Sequence, residues 1–368
     1  MSPSSDEIIA EVRGGIGMIT LNRPQALNAL SVNMVRGLYA TLRAWQKDES
    51  VLAVALRGNG RQEAFGVFCA GGDIRAVHAA ALAGGAGIMD FFTDEYRLNH
   101  LTHHFGKPYI AFMDGIVMGG GMGISQGGTL RIVTERTRMA MPETLIGFFP
   151  DVGGGYFLSR SPGRTGEWLG LTGASIGAGD AIALGLADGF LPSARQAFLW
   201  EQLASHGFAD SAAVEDFVRS QLQASTAALA PAPSEEHLPV IERCFGESSV
   251  AAIESALLRE SGAWAHEAAA ALRQRSPLML HVVLEQIRRA RAMSLAEDLR
   301  MELGLVHHCF FPRHGWSEAV EGIRALAVDK DRQPRWQPAS IEQVDEAQWQ
   351  AFFAGPWAAA RHPLSDLA

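Results

Sequence analysis

The chain has 368 residues, 48% apolar and 19% charged, enough apolar material for a large buried core and too much for a disordered polymer. Its formal net charge of −9 excludes a general nucleic-acid surface, which needs a basic field to neutralise phosphates. Cys69, Cys244 and Cys309 are too few and too scattered for a disulfide framework or a Cys-x-x-Cys metal pair, and fit a reducing compartment. The N-terminal residues have the character of neither a signal nor a transit peptide, and no apolar run reaches spanning length, so a cytoplasmic protein without a membrane partner is expected.

From Ile8 to Leu21 the pattern reads as two short strands around Gly14-Gly15, broken by Leu21-Asn-Arg-Pro24. Ser31 caps an expected helix whose apolar positions Met34, Val35, Leu38, Leu42 and Trp45 recur at helical spacing. Val51 to Leu56 is apolar on both faces, as in a strand buried in a parallel sheet. A helical stretch from about Met89 to His104, a strand Tyr109 to Met113, a Gly-rich turn and a strand Leu130 to Thr134 repeat that alternation, which means α/β. Beyond about residue 190 the pattern turns helical, giving residues 1–190 as an α/β core and 191–368 as a helical C-terminal region, with an exposed linker near 224–238. Ser276-Pro277 and the capping box Ser294-Leu-Ala-Glu297 open later helices. The tail from Trp316 carries four of the eight tryptophans and is expected to dock on the body.

Three features offer chemistry. Cys69-Ala-Gly-Gly72-Asp73 and Met118-Gly-Gly120-Gly-Met-Gly123 each follow a strand and precede a helical stretch, where glycine allows close approach and the first helical N–H groups are unpaired. Either turn is equally readable as a tight connection with Asp73 as a cap. Neither matches a phosphate loop or the Gly-x-Gly-x-x-Gly register. In the third, Met141-Pro-Glu143 through Tyr156, Glu143 and Asp151 can converge across the bend made by Gly147 and Pro150. A carboxylate among Met141, Phe148 and Phe149 should have a raised pKa; the blander reading makes Asp151 a helix cap and Glu143 an exposed loop acid.

Four blocks, Asn22-Arg-Pro24 with Ala26 to Leu30, Phe68 to Arg75, Asp114 to Gly121 and Met141 to Pro150, stand in the order and spacing of the crotonase superfamily, which the chain resembles over roughly residues 15–190. The resemblance implies a spiral of ββα units with a helical C-terminal region, and an oxyanion hole from the N–H groups of Gly72 and Gly120 for a coenzyme A thioester. Hydratases of this superfamily use two glutamates; this chain keeps one as Glu143 but has Gly123 where the other would lie, and carries Asp151 where hydratases have glycine.

Phe149 to Leu158, Asp94 to Asn99 and the stretches Glu321 to Ala325, Asp329 to Asp331 and Pro334 to Trp336 resemble a branch that hydrolyses short 3-hydroxyacyl-CoA thioesters. By that resemblance Glu143 attacks the thioester or activates water, Asp151 orients water or the substrate hydroxyl, and Glu95 accepts the 3-hydroxyl. Read from spacing alone, Glu95 is a solvated helix acid. Coenzyme A would be part of the substrate, with no separate cofactor and no metal; members often form homo-oligomers, through surfaces that an extended C-terminal region could instead cover, which leaves both states open for this chain. The competing expectations are an enoyl-CoA hydratase or isomerase and a noncatalytic acyl-CoA-binding protein. Cys69 reads as a small buried hydrophobe, and His307-His308-Cys309 lacks a second ligand pair for a metal. Arg288, Arg289 and Arg291 read as a solvated helix face or as contacts to CoA phosphates, with Arg23, Arg75, Lys330 and Arg335 as comparable candidates.

Overall fold

The computed structural model describes residues 7–62, 64–312 and 315–368, so the N-terminal stretch read above for targeting character lies outside it through residue 6. The chain forms two compact units that interleave in sequence. The first comprises Met1–Gly72, Arg97–Met139 and Ile176–Pro233; the second comprises Asp73–Tyr96, Ala140–Ser175 and Ser234–Ala368. Residues on both sides of position 190 therefore contribute to each unit. The stretch 224–238 is not exposed throughout: its first residues finish the helix Ser211–Ala227, and Ala232 and Ser234 are buried. No helix among the described residues is long and apolar enough to cross a membrane.

Among the described residues eight strands form in chain order: β1 (Ile8–Arg13), β2 (Ile16–Leu21), β3 (Ala53–Gly58), β4 (Tyr109–Met113), β5 (Ile116–Met118), β6 (Leu130–Val133), β7 (Arg138–Ala140) and β8 (Gly189–Phe190). The first unit holds a six-stranded sheet in the order β1-β2-β3-β4-β6-β8, antiparallel at β1/β2 and parallel elsewhere. The hairpin turns at Gly14 and Gly15, both in the left-handed region. Strands β2 to β4 are buried on both faces, which explains their continuous apolar runs.

Alternation sorts the sheet's two faces. Ile16 and Met18, Ala53 and Ala55, Ile110 and Phe112, and Leu130 and Ile132 point one way, against Leu199, Trp200 and Leu203 of the helix Ser193–Ser205 and Val214, Val218 and Leu222 of the next. Gly17 points the other way, where a Cβ would lie 2.4 Å from the Trp45 ring of the helix Val32–Lys47. Ser31 caps that helix by accepting the Met34 N–H, as its sequence indicated.

The second unit is mainly helical. The helices Pro277–Ala290 and Leu295–Phe310 pack on the short helix Gly154–Ser159, and the expected Ser276 cap and Ser294/Glu297 capping box both form. Its tail docks through side chains: His308 Nε2 lies 2.9 Å from the Ala354 carbonyl, and His307 packs edge-on against Trp357. Helix Glu318–Ile323 backs the turn after Glu143, with Gly147 at φ +66° and the position of its absent Cβ 2.2 Å from the Glu318 carbonyl oxygen. Gly147→Ala combines a left-handed alanine with that collision, so a loss of roughly 2–4 kcal/mol is expected in urea unfolding. A loss under 0.5 kcal/mol would show that the turn can relax, in conflict with the close packing described.

Candidate active site

The two glycine turns lie side by side in the first unit. Cys69 forms a parallel bridge with Val117: its N–H donates to Ile116 O at 2.9 Å and its carbonyl accepts the Met118 N–H at 3.0 Å. A Cβ on Gly71 (φ +105°) would lie 3.3 Å from the Met118 oxygen, and one on Gly121 2.5 Å from the Cys69 oxygen. Glycine here lets backbone pack on backbone. The Leu30 N–H pins the first turn by donating to Gly71 O at 2.8 Å. Gly119, at φ +49°, turns the chain from β5 into the helix Gly120–Gln126, so Gly120 supplies the first helical N–H, a donor without an intrahelical acceptor. Cys69 is fully buried with its thiol 3.7 Å from Gly71 O. Asp73 does cap a helix, its carboxylate accepting the Ala76 N–H at 3.3 Å.

The acids gather in the second unit. Glu95 and Tyr96 belong to the helix Ile88–His103; Glu143 follows Pro142 and starts the 3-10 turn Glu143–Ile146; Asp151 follows Pro150, just before Val152 and Gly153 at φ 57° and 84°. Glu95, Glu143 and Asp151 are 2%, 7% and 5% exposed. The Tyr96 hydroxyl donates to Asp151 Oδ2 at 3.1 Å. Phe92, Phe148 and Phe310 pack together with centroids 5.7 to 5.9 Å apart, and Phe92 also meets the Tyr96 ring.

Such an apolar setting disfavours charge. Burial pushes Asp151 up to about 7, against the opposing pull of the Tyr96 hydroxyl and its own backbone. Burial raises Glu143 well above the ordinary range, with the Asp151 charge adding to it and the Glu95 charge adding less. Glu95 rises for the same reasons, burial first and Asp151 second. The three acids therefore sense one another electrostatically. Glu95 Oε1 and Glu143 Oε2 are buried without a hydrogen-bond partner among the described residues. Oxygens so placed can accept a hydrogen bond from a bound substrate or water.

The structure thus brings together Glu95, Glu143 and Asp151, and separately pairs the turns of Gly72 and Gly120. It corrects the blander readings: Glu143 is no exposed loop acid, Glu95 is no solvated helix acid, and the cap position of the helix Gly154–Ser159 is Gly153, with no side-chain cap. Gly123 lies buried within its helix.

Tyr96 is the residue that sequence reasoning missed. It lies within the Asp94 to Asn99 block, where a hydroxyl adjoining Glu95 is the available signal. In Tyr96→Phe, Asp151 loses a bond that favours its charged form. Hydrogen bonds to charged groups contribute roughly 1.5–3 kcal/mol, so activity is expected to fall about tenfold or more, with its acidic limb displaced to higher pH. An unmoved pH–rate profile would remove Tyr96 from the site.

The arginines considered for phosphates mostly tie the protein together. Arg291 donates to both carboxylate oxygens of Glu167 at 2.7 Å, Arg288 to the carbonyls of Ser248 and Glu247, and Arg289 to Glu285 while covering the Phe353 ring. Arg23 donates to Ala29 O, and Arg335 lies 3.4 Å from Glu321; Arg75 and Lys330 are exposed.

A mostly parallel sheet opened by a hairpin, two adjoining glycine turns and a Pro-Glu turn leading to buried acids are the parts of a crotonase fold. The chain belongs to the enoyl-CoA hydratase/isomerase family, whose model matches residues 16–353. It is 40% identical over 348 residues to the mitochondrial 3-hydroxyisobutyryl-CoA hydrolase of Danio rerio, covering 94% of this chain and 88% of that one. A probable 3-hydroxyisobutyryl-CoA hydrolase of Arabidopsis thaliana is 39% identical, covering 95% and 92%. Among solved structures, a carnitinyl-CoA dehydratase from Mycobacterium thermoresistibile matches with a TM-score of 0.86 and 40% identity, covering 95% and 96% of the two chains. An enoyl-CoA hydratase from Rhodobacter sphaeroides matches with a TM-score of 0.84 and 37% identity, covering 95% and 98%.

Proposed function

We propose that the protein hydrolyses a short 3-hydroxyacyl-CoA thioester, foremost 3-hydroxyisobutyryl-CoA, to the 3-hydroxy acid and free CoA. The observation that carries this reading is Asp151, a buried acid held by Tyr96 beside Glu143 and Glu95, in a chain whose Gly123 leaves no first hydratase glutamate. The names of relatives near 40% identity support the acyl group.

On this reading a Glu143 oxygen attacks the thioester carbon, the C–S bond breaks, and CoA leaves as its thiolate, which takes its proton from the water of the next step. Water then opens the mixed anhydride, releasing the acid and restoring Glu143. In the other route Glu143 takes the proton of a water that attacks directly. The Gly72 and Gly120 N–H groups receive the oxyanion, where losing one donor typically costs about 3 kcal/mol of barrier. Glu95 Oε1 accepts the substrate hydroxyl, and Asp151 orients the water. Single turnover in 18O-water tests the anhydride route, since label on Glu143 requires an anhydride that water opens at the Glu143 carbonyl.

The proposal includes no cofactor beyond the substrate's CoA, a place in valine breakdown, self-association into homo-oligomers and a cytoplasmic location. The vertebrate relatives are named mitochondrial, so cell fractionation tests the last point directly.

The two solved relatives, a carnitinyl-CoA dehydratase and an enoyl-CoA hydratase by name, favour a second reading, hydration or dehydration of an acyl-CoA. A thiol-release assay across short 3-hydroxyacyl-CoAs decides. Free CoA supports hydrolysis, enoyl absorbance changing without free thiol supports hydratase chemistry, and tight binding without turnover means a noncatalytic binder.

A further inference from the structure

We propose that Glu302 is a positioning residue for Asp151, its carboxylate holding the backbone of the turn from which Asp151 projects. The inference rests on the proposed role of Asp151 in hydrolysis. Glu302, on the helix Leu295–Phe310, accepts the Gly153 N–H on Oε2 at 2.8 Å and the Gly155 N–H on Oε1 at 3.0 Å. One turn earlier on that helix, Asp298 accepts the Tyr156 N–H at 2.8 Å. Gln286, on the helix Pro277–Ala290, donates to Pro150 O at 2.6 Å and to Glu302 Oε1 at 3.0 Å. The backbone is thereby gripped at residues 150, 153, 155 and 156, on both sides of Asp151.

The first N–H groups of a helix need acceptors, and a nearby Ser, Thr, Asp or Asn usually supplies one. Here the cap position is Gly153, and the acceptors come from a distant helix instead. The glycine run has a specific cause: a Cβ on Gly155 would lie 2.4 Å from Asp298 Oδ1, and one on Gly154 2.9 Å from Pro150 Cβ. Side chains at these positions would push the turn off its support. The grip also sustains Val152 at φ 57°, a conformation unfavourable for a β-branched residue by roughly 1–3 kcal/mol.

Stability alone gives no reason for this arrangement. Glu302 and Asp298 are fully buried; burial raises both, with the nearby Asp298 and Asp151 charges adding to the rise at Glu302. A local neutral cap would satisfy the same N–H groups without placing acids behind an acid. What the distant carboxylate adds is a fixed position for residue 151 relative to the rigid helix Leu295–Phe310.

The test is a double-mutant cycle between Glu302→Gln and Asp151→Asn, read in kcat, KM and the pH–rate profile. The glutamine keeps the volume but sets an amide donor against a backbone N–H. In the native background kcat is expected to fall roughly 10- to 100-fold with KM changed less than about threefold, and the acidic limb to move. In the Asp151→Asn background the further loss should be under about threefold, because the residue being positioned is already disabled. Equal losses in both backgrounds, or an unchanged native kcat and pH limb, would overturn the proposal. If Asp151→Asn alone retains near-native kcat, the reading of Asp151 fails first and takes the Glu302 proposal with it, an outcome that the single variant identifies. Should Glu302→Gln not fold, Gln286→Met releases the Pro150 carbonyl and enters the same cycle with the same expectations.

Discussion

Glu143→Gln is expected to bind a 3-hydroxyacyl-CoA with near-native affinity and release CoA roughly 10²- to 10⁴-fold more slowly. A carboxamide has the shape of the acid but neither attacks a thioester usefully nor takes a proton from water. The substitution also has a stability signature. Burial and the Asp151 charge raise the Glu143 pKa above its usual 4.5, so the folded state holds that proton more tightly than the unfolded chain does. The resulting stabilisation is complete below the unfolded value and is lost as pH rises through the raised folded value. Glutamine has no charge to desolvate, so the melting temperature of the variant relative to the native protein should climb between pH 5 and pH 8. Stopped-flow thiol release and calorimetry at those pH values check both parts. Near-native turnover would remove Glu143 from the chemistry, and a pH-independent melting difference would contradict its burial as an acid.

Replacing Asp151 with glycine, the residue a hydratase would carry, is expected to lower hydrolysis roughly 10²-fold or more. The native rate should rise with pH as both buried acids ionise, Asp151 at about 7 and Glu143 above the ordinary carboxylate range, because attack or water activation needs a charged Glu143 and the orienting role a charged Asp151. In Asp151→Gly the surviving rate should keep a rising limb, displaced toward lower pH. The sign follows from the loss of a like charge that holds Glu143 up. Should hydrolysis continue at an unchanged rate, Asp151 would be part of the scaffold only. A limb displaced upward would mean that the two acids do not interact as described.

Much of the fold was legible because its elements obey local rules. The apolar run ending at Leu56 is a buried parallel strand, although it begins at Ala53 rather than Val51, and Tyr109 to Met113 is a strand as read. Ser31, Ser276 and Ser294 cap the helices they precede, because capping depends on residues three positions apart. The interleaving of the two units was not legible, since local periodicity does not say which helix returns to which core. Within the site, Glu143 and Asp151 were found through motif and spacing, and their high pKa values through the neighbouring Phe148 and Phe149. Tyr96 and Glu302 were not found. Each acts across 55 to 149 residues of chain, and a tyrosine or a glutamate on a helix has no local pattern that distinguishes a distant hydrogen bond from solvent or core. The Gly153-Gly-Gly155 run was the available trace, a request for close approach with the approaching group unnamed.

The grip on the Asp151 turn also sets an order of events during synthesis. Asp151 leaves the ribosome long before Gln286, Asp298 and Glu302, the last of them 149 residues beyond Gly153. At roughly 5–20 residues per second the turn waits about 7 to 30 s for its supports. A nascent chain therefore carries Glu143 and Asp151 while the helices that support both turns are still unmade. Competence for the proposed hydrolysis comes no earlier than the helix Leu295–Phe310, so an interrupted product that stops short of it carries the motifs without the geometry.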